Sequence, residues 1–163
     1  MASKIHSFLK STKTSGFTLI ELVISIGVII VLSSAVILYV GIPENKAKSR
    51  DLVRLSDMTY LESAIAQYKL SFKSCPDNVN VQRDSTVVPV GSTTGWINQD
   101  LSEFAPKLPV DPINNASYKY LYICNGVDYE LNAFLEHYTS KSSEDGGNNV
   151  NVFESGTNLS LIN

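Results

Sequence analysis

Histidine is nearly missing from this 163-residue chain: there are two, and only His137 lies beyond residue 44. That removes the histidine-based metal constellations and leaves a single imidazole for acid–base work. His137 follows Glu136 at the end of an expected strand, where a surface histidine is the simpler reading. A Gly-rich phosphate loop and a Gly-x-Ser-x-Gly nucleophile elbow are absent as well. These gaps argue against an enzyme. No stretch is basic enough to track a nucleic-acid backbone, and the formal net charge is −3, so no nucleic-acid partner is expected.

Charge itself is what the chain lacks most unevenly. From Phe17 to Val40 Glu21 is the only charged residue, and no polar face recurs at helical spacing. A helix over this run reaches about 36 Å, more than the ~30 Å hydrocarbon core of a bilayer. It is therefore expected to insert in a membrane. Residues 1–16 carry Lys4, Lys10 and Lys13 and no acid, which places them on the cytoplasmic side. A secretory cut near Ser33-Ser34-Ala35 is disfavoured, because the apolar run continues through Val40 and would leave a greasy terminus.

Cysteine is scarce too. Cys75 and Cys124, 49 residues apart, match no metal-binding pattern. Both lie beyond the apolar run, in what should be an oxidising compartment, and an even count favours a disulfide over two buried free thiols.

What is present falls into three parts: 1–16, a leader; 17–43, a transmembrane helix; and 44–163, a globular head that includes the second half of a long helix. Residues 44–73 keep helical spacing but turn amphipathic, through Leu52, Leu55, Met58, Ile65, Tyr68 and Phe72. Gly41-Ile42-Pro43 predicts a kink or short break between the two helical patterns. Lys46, Lys48, Arg50 and Arg54 read as a solvated helix face. Cys75 to Ile113 reads mostly as loop, with one short helix at Asp100–Ala105. Strands are expected at Tyr118–Cys124 and Tyr129–Leu135 around Asn125-Gly126, and a third at Val150–Glu154. Ser140–Asn149 reads as a polar surface loop. Oxygen-bearing Asp145, Asn148, Asn151 and Glu154 suit a calcium ion, but their spacing is not that of an EF-hand, and no other metal or cofactor is expected.

The stretch Gly16-Phe17-Thr18-Leu19-Ile20-Glu21 ahead of the apolar helix resembles the processing signal of type IV prepilins and type II secretion pseudopilins. Glycine at the cleavage side, glutamate at the fifth position after it and a short basic leader agree together. The downstream Leu108-Pro109-Val110-Asp111-Pro112-Ile113-Asn114, followed by Tyr118-Lys119-Tyr120, is similar to the loop before the sheet in major pseudopilins, although Ile113 and Asn114 stand where Trp-Gly is usual. The resemblance implies an α+β type IV pilin fold: a long N-terminal α-helix packed on a small antiparallel β-sheet. It implies cleavage between Gly16 and Phe17 by a prepilin peptidase and N-methylation of Phe17. It also implies that Glu21 neutralises the Phe17 amine of a neighbouring copy during assembly.

The implied function is that of a structural subunit, of the major kind, in a type IV pilus-like filament. The implied partners are further copies in a homopolymer, the prepilin peptidase, and an inner-membrane assembly platform with its motor ATPase. The chain would sit in the cytoplasmic membrane as a single-pass precursor, then in an extracellular or periplasm-spanning filament. The alternatives are a major pseudopilin of a type II secretion system and, from a different class, a single-pass membrane-anchored binding domain.

Overall fold

The computed structural model describes residues 16–163 apart from Asn78 and Gly91, with the backbone alone for residues 37–42. The expected leader, Gly16 excepted, lies outside the described residues. Helical backbone runs over Leu19–Phe72 (α1), and within it the chain divides into two compact units, one ending at Ile42 and one covering Pro43–Asn163. No break occurs at Gly41-Ile42-Pro43: the backbone stays helical with Pro43 inside α1. Proline removes one N–H and crowds one carbonyl, while the helical bonds on either side remain to hold the turn.

In the first unit, α1 begins after Gly16-Phe17-Thr18, and Leu22 donates its N–H to the Thr18 carbonyl at 3.1 Å. Over Leu19–Val36 the helix is long and apolar enough to cross a membrane, and none of it is buried. Its serines are satisfied internally: Ser25 Oγ donates to the Glu21 carbonyl (2.7 Å) and Ser34 Oγ to that of Val31 (2.8 Å). An apolar helix tolerates hydroxyls on those terms.

The second unit is α+β. Four antiparallel strands form a meander in the order β1-β2-β3-β4: β1 Arg83–Asp84, β2 Tyr120–Cys124, β3 Tyr129–Ala133 and β4 Phe153–Gly156. Tyr122 pairs with Leu131 and Asn132 with Glu154. Asn125 shapes the β2–β3 loop, its Oδ1 accepting the N–H groups of Val127 and Asp128 while Gly126 takes φ +98°. One face of the sheet supplies Tyr120, Tyr122, Cys124, Tyr129, Leu131 and Ala133 to the core, and α1 supplies Met58, Leu61, Ala64, Ile65 and Tyr68. Cys75 and Cys124 are bonded, with Cα atoms 6.0 Å apart.

Several expectations are corrected. Leu52 and Phe72 are exposed, and the packed face of α1 starts instead with Asp51 and Arg54. Asp100–Ala105 makes one turn closed by Phe104 and Ala105 onto the Leu101 carbonyl, too short to be a helix. The irregular segment around it is nonetheless core, burying Trp96, Ile97, Leu101, Ala105 and Leu108. Trp96 satisfies its indole N–H on the Pro109 carbonyl at 2.8 Å. The expected polar loop holds a short helix, α2, over Thr139–Ser143, and β1 was not anticipated.

Candidate functional site

The residues singled out at the N-terminus lie where α1 begins. Gly16 and Phe17 precede the helix and are exposed, so their peptide bond is presented outside regular structure. A protease must bind its substrate extended, and a side-chain-free Gly16 allows close approach. Thr18 and Glu21 close a capping box: Glu21 Oε2 accepts the Thr18 N–H (2.9 Å) and hydroxyl (2.7 Å), and the Glu21 N–H donates to Thr18 Oγ1 at 3.3 Å. Reciprocal caps of this kind satisfy donors that the first helical turn leaves orphaned. Both Thr18 bonds reach the same carboxylate oxygen. Among the described residues no hydrogen bond is made to Oε1. The Thr-x-x-Glu spacing was in the sequence and signals this cap.

The second unit presents a further surface. Along α1 from Asp51 to Phe72 the exposed positions are Leu52, Val53, Ser56, Thr59, Tyr60, Ser63, Ala66, Gln67, Leu70, Ser71 and Phe72. None is charged. Solvent-facing sides of amphipathic helices are ordinarily charged, so this face is suited to burial against another helix.

Behind that face lies a clasp the sequence did not reveal. Arg54 is completely buried. Its Nε donates to Asp111 Oδ2 at 2.6 Å, and Nη1 to Asp51 Oδ1 (2.8 Å) and Glu136 Oε1 (2.6 Å). Arg50 makes a two-pronged pair with the same Glu136. Asp51 also accepts the backbone N–H groups of Glu136, His137 and Tyr138 at 2.7–3.0 Å. Burial works against the Asp51 carboxylate, but those three amides and Arg54 outweigh it and hold its pKa below the ordinary 3.8. For Glu136 the Arg50 pair dominates over burial, and with Arg54 it holds that carboxyl below 4.5. Arg50 and Arg54 are thus not a solvated face. They tie α1 to the Asp111 loop and to the segment after β3.

Asp57 sits beside this clasp, its carboxylate accepting the Tyr120 hydroxyl at 2.7 Å. Burial raises its pKa, the Tyr120 bond opposes that, and Asp111 adds to the rise. An open cleft of about 380 Å³ beside it is lined by Asp57, Tyr60, Lys107, Leu108, Pro109 and Val110.

Of the four calcium candidates, Asp145 and Glu154 come together, Asp145 Oδ2 accepting the Glu154 N–H at 2.8 Å. The Asn148 amide donates to the Ile162 carbonyl (3.4 Å), and Asn151 is exposed. Among the described residues no group of three or more His, Cys, Asp or Glu side chains is arranged to hold a metal. His137 is half-buried against Tyr138. No protein-family model, no curated protein and no solved structure matches this chain.

Proposed function

We propose that this chain is a structural subunit of a type IV pilus-like filament, cut between Gly16 and Phe17 and polymerised through α1. The observation that carries the reading is the helix over Leu19–Val36, apolar and exposed on every side, with one carboxylate in its first turn. Such a helix is compatible with a bilayer, and equally with a bundle of identical helices once the subunit leaves it. Glu21 gives the exchange a direction. A carboxylate in an apolar segment is costly, by about 2.5–3.5 kcal/mol at mid-bilayer and less near an end. Cleavage at Gly16 frees an amine on Phe17, and the same amine on a neighbouring copy is the cation that answers Glu21. Methylation of that amine keeps its charge.

The uncharged exposed face of α1 in the second unit supports the same reading, since a filament subunit must offer more than its membrane helix to its neighbours. The α+β head, with a helix laid on a small antiparallel sheet, is of the kind the pilin resemblance implies. On this reading the precursor resides in the cytoplasmic membrane, and the peptidase, assembly platform and motor ATPase act on it there.

N-terminal mass spectrometry of the mature protein from cells tests the proposal. A chain beginning at methylated Phe17 is expected, while an intact leader or a start near Val36 overturns it.

A further inference from the structure

Three aromatic rings meet in the second unit where α1 ends. Tyr68 and Phe72 have centroids 4.5 Å apart, and Phe104 stands edge-on to both at 5.9 and 6.4 Å. Phe72 continues the packed stripe of Leu61, Ile65 and Tyr68 at helical spacing, yet it is 56% exposed, because the head does not extend over it. The rings line a cavity of about 220 Å³ together with Gln99, Asp100 and Glu103. A second cavity of about 190 Å³ shares Gln99 and Asp100 with the first and adds the polar side chains of Ser92, Thr93 and Asn98. Asp100 is held in place, its Oδ1 accepting the Ser102 N–H (3.0 Å) and the Thr93 hydroxyl (3.1 Å). The Ser102 bonds, with Thr93, keep its pKa below the ordinary 3.8. Glu103 is exposed, and among the described residues neither acid has a lysine or arginine in ion-pair contact.

Ring faces and carboxylates attract the same kind of ligand. The face of a phenyl ring carries partial negative charge and draws a cation, and two carboxylates beside it strengthen that pull. A neutral apolar partner would cover the rings but strip water from the acids without repaying it. Among cations, guanidinium fits best: it is planar, stacks on rings, is weakly hydrated and donates to carboxylates through a fork, whereas an ammonium is a strongly hydrated point charge. A second copy of the chain cannot supply one. Arg50, Arg54 and Arg83, all the arginines of the sequence, are ion-paired within their own head. The second cavity favours a chain over a small free cation, because its hydroxyl and amide groups suit the peptide groups of an extended segment.

We propose that this pocket docks an arginine side chain carried on an extended segment of another protein. The guanidinium stacks on the exposed ring of Phe72 and donates to Asp100 and Glu103, while the flanking peptide groups lie along Ser92, Thr93 and Asn98. The turn that closes Phe104 and Ala105 onto the Leu101 carbonyl sets Glu103 and Phe104 side by side at the pocket. Phe72 lies nine residues after Ser63, two and a half helical turns, and so on the opposite side of α1. A neighbour packed on the Ser63 face therefore need not cover the pocket. The proposal does not rest on the filament reading.

The test uses the full-length chain, carbon-13 labelled at phenylalanine, in a nonionic detergent at pH 7 and low salt. A zwitterionic detergent would bring a competing quaternary ammonium. The probe is the capped peptide acetyl-Ser-Gly-Arg-Gly-Ser-amide, beside its lysine and citrulline counterparts and tetramethylammonium chloride. The arginine peptide is expected to shift the Phe72 and Phe104 ring signals saturably. The lysine peptide should bind several-fold more weakly, and the uncharged citrulline peptide about tenfold more weakly or worse. Phe72→Ala and Glu103→Gln, both at exposed positions, should each weaken binding about fivefold while the head still unfolds cooperatively. No ring shift at about 10 mM arginine peptide overturns the proposal. So does equal binding of the lysine or citrulline peptide, or binding that neither substitution weakens. Tetramethylammonium binding as tightly as the arginine peptide overturns it too, by showing a site for a small cation.

Discussion

Thr18 and Glu21 hold each other at the start of α1, the threonine hydroxyl lying 2.7 Å from Glu21 Oε2. The pair gives Glu21 two separable duties, one as a helix cap and one as a charge, and substitution distinguishes them. Thr18→Ala removes the cap at a cost of about 1 kcal/mol to the helix start and leaves the charge, so filaments should still form. Glu21→Ala or Glu21→Val should leave cleavage after Gly16 intact and stop assembly. Electron microscopy of filaments, beside immunoblots of precursor and mature chain, reads both. If Thr18→Ala stops assembly as completely as Glu21→Ala, the cap rather than the charge is what assembly needs.

The uncharged face of α1 makes a second case. Ser63→Glu places a charge at an exposed position of that face without touching the core. Folding stability of the detergent-solubilised chain should change by no more than about 0.5 kcal/mol, while filament yield falls at least several-fold. Normal filaments from Ser63→Glu would show that this face stays in solvent.

Arg54 is expected to be the most sensitive polar residue of the head. Arg54→Met leaves Asp51 and Asp111, both buried, without their cation, at a cost of about 3–5 kcal/mol. Arg54→Lys should recover only part, because an ammonium cannot make the forked contacts that Nε and Nη2 make to Asp111. Denaturant titration of the three chains ranks them.

The same clasp sets an acid limit. Asp51 and Glu136 have folded-state pKa values below their ordinary 3.8 and 4.5. The unfolded chain therefore binds protons first as pH falls. Their contribution is complete above about pH 4.5 and is lost progressively below it as the folded-state values are reached. Thermal unfolding from pH 6 down to pH 2 should show this decline, and Arg54→Met should lessen it only in part, because the backbone amides on Asp51 and Arg50 on Glu136 remain.

Reduction of Cys75–Cys124 is expected to cost the head about 2–4 kcal/mol, since the bond closes a loop with a sequence separation of 49. The Cys75→Ser, Cys124→Ser double variant should unfold at correspondingly lower denaturant.

The apolar run, the β2–β3 hairpin and the cysteine pair were legible because each is a local pattern or a simple count. The rest was written in partners far along the chain. Nothing in sequence separates Arg54 from Lys46; only Asp111, 57 residues later, makes one a buried clasp and leaves the other exposed. β1 has no apolar alternation and exists because Arg83 and Asp84 pair with Tyr122 and Leu121. Trp96 and Leu108 sit in a segment rich in turn residues, yet the hydrophobic core takes them in. Glu130 looked like the polar member of an alternating strand, and burial by the C-terminal tail is what gives it significance. At the N-terminus the capping box was readable, but the membrane pattern around it hid the simpler role.

The bond between Cys75 and Cys124 joins the segment just past the end of α1 to the end of β2. Under tension, a helix resting on a sheet only through side chains peels away contact by contact. Here a pull on the segment just past α1 is delivered through a covalent link to the second strand of the meander, and passes to its hydrogen-bonded neighbours. The head should therefore resist mechanical unfolding better than its thermal stability suggests, and lose that resistance when reduced.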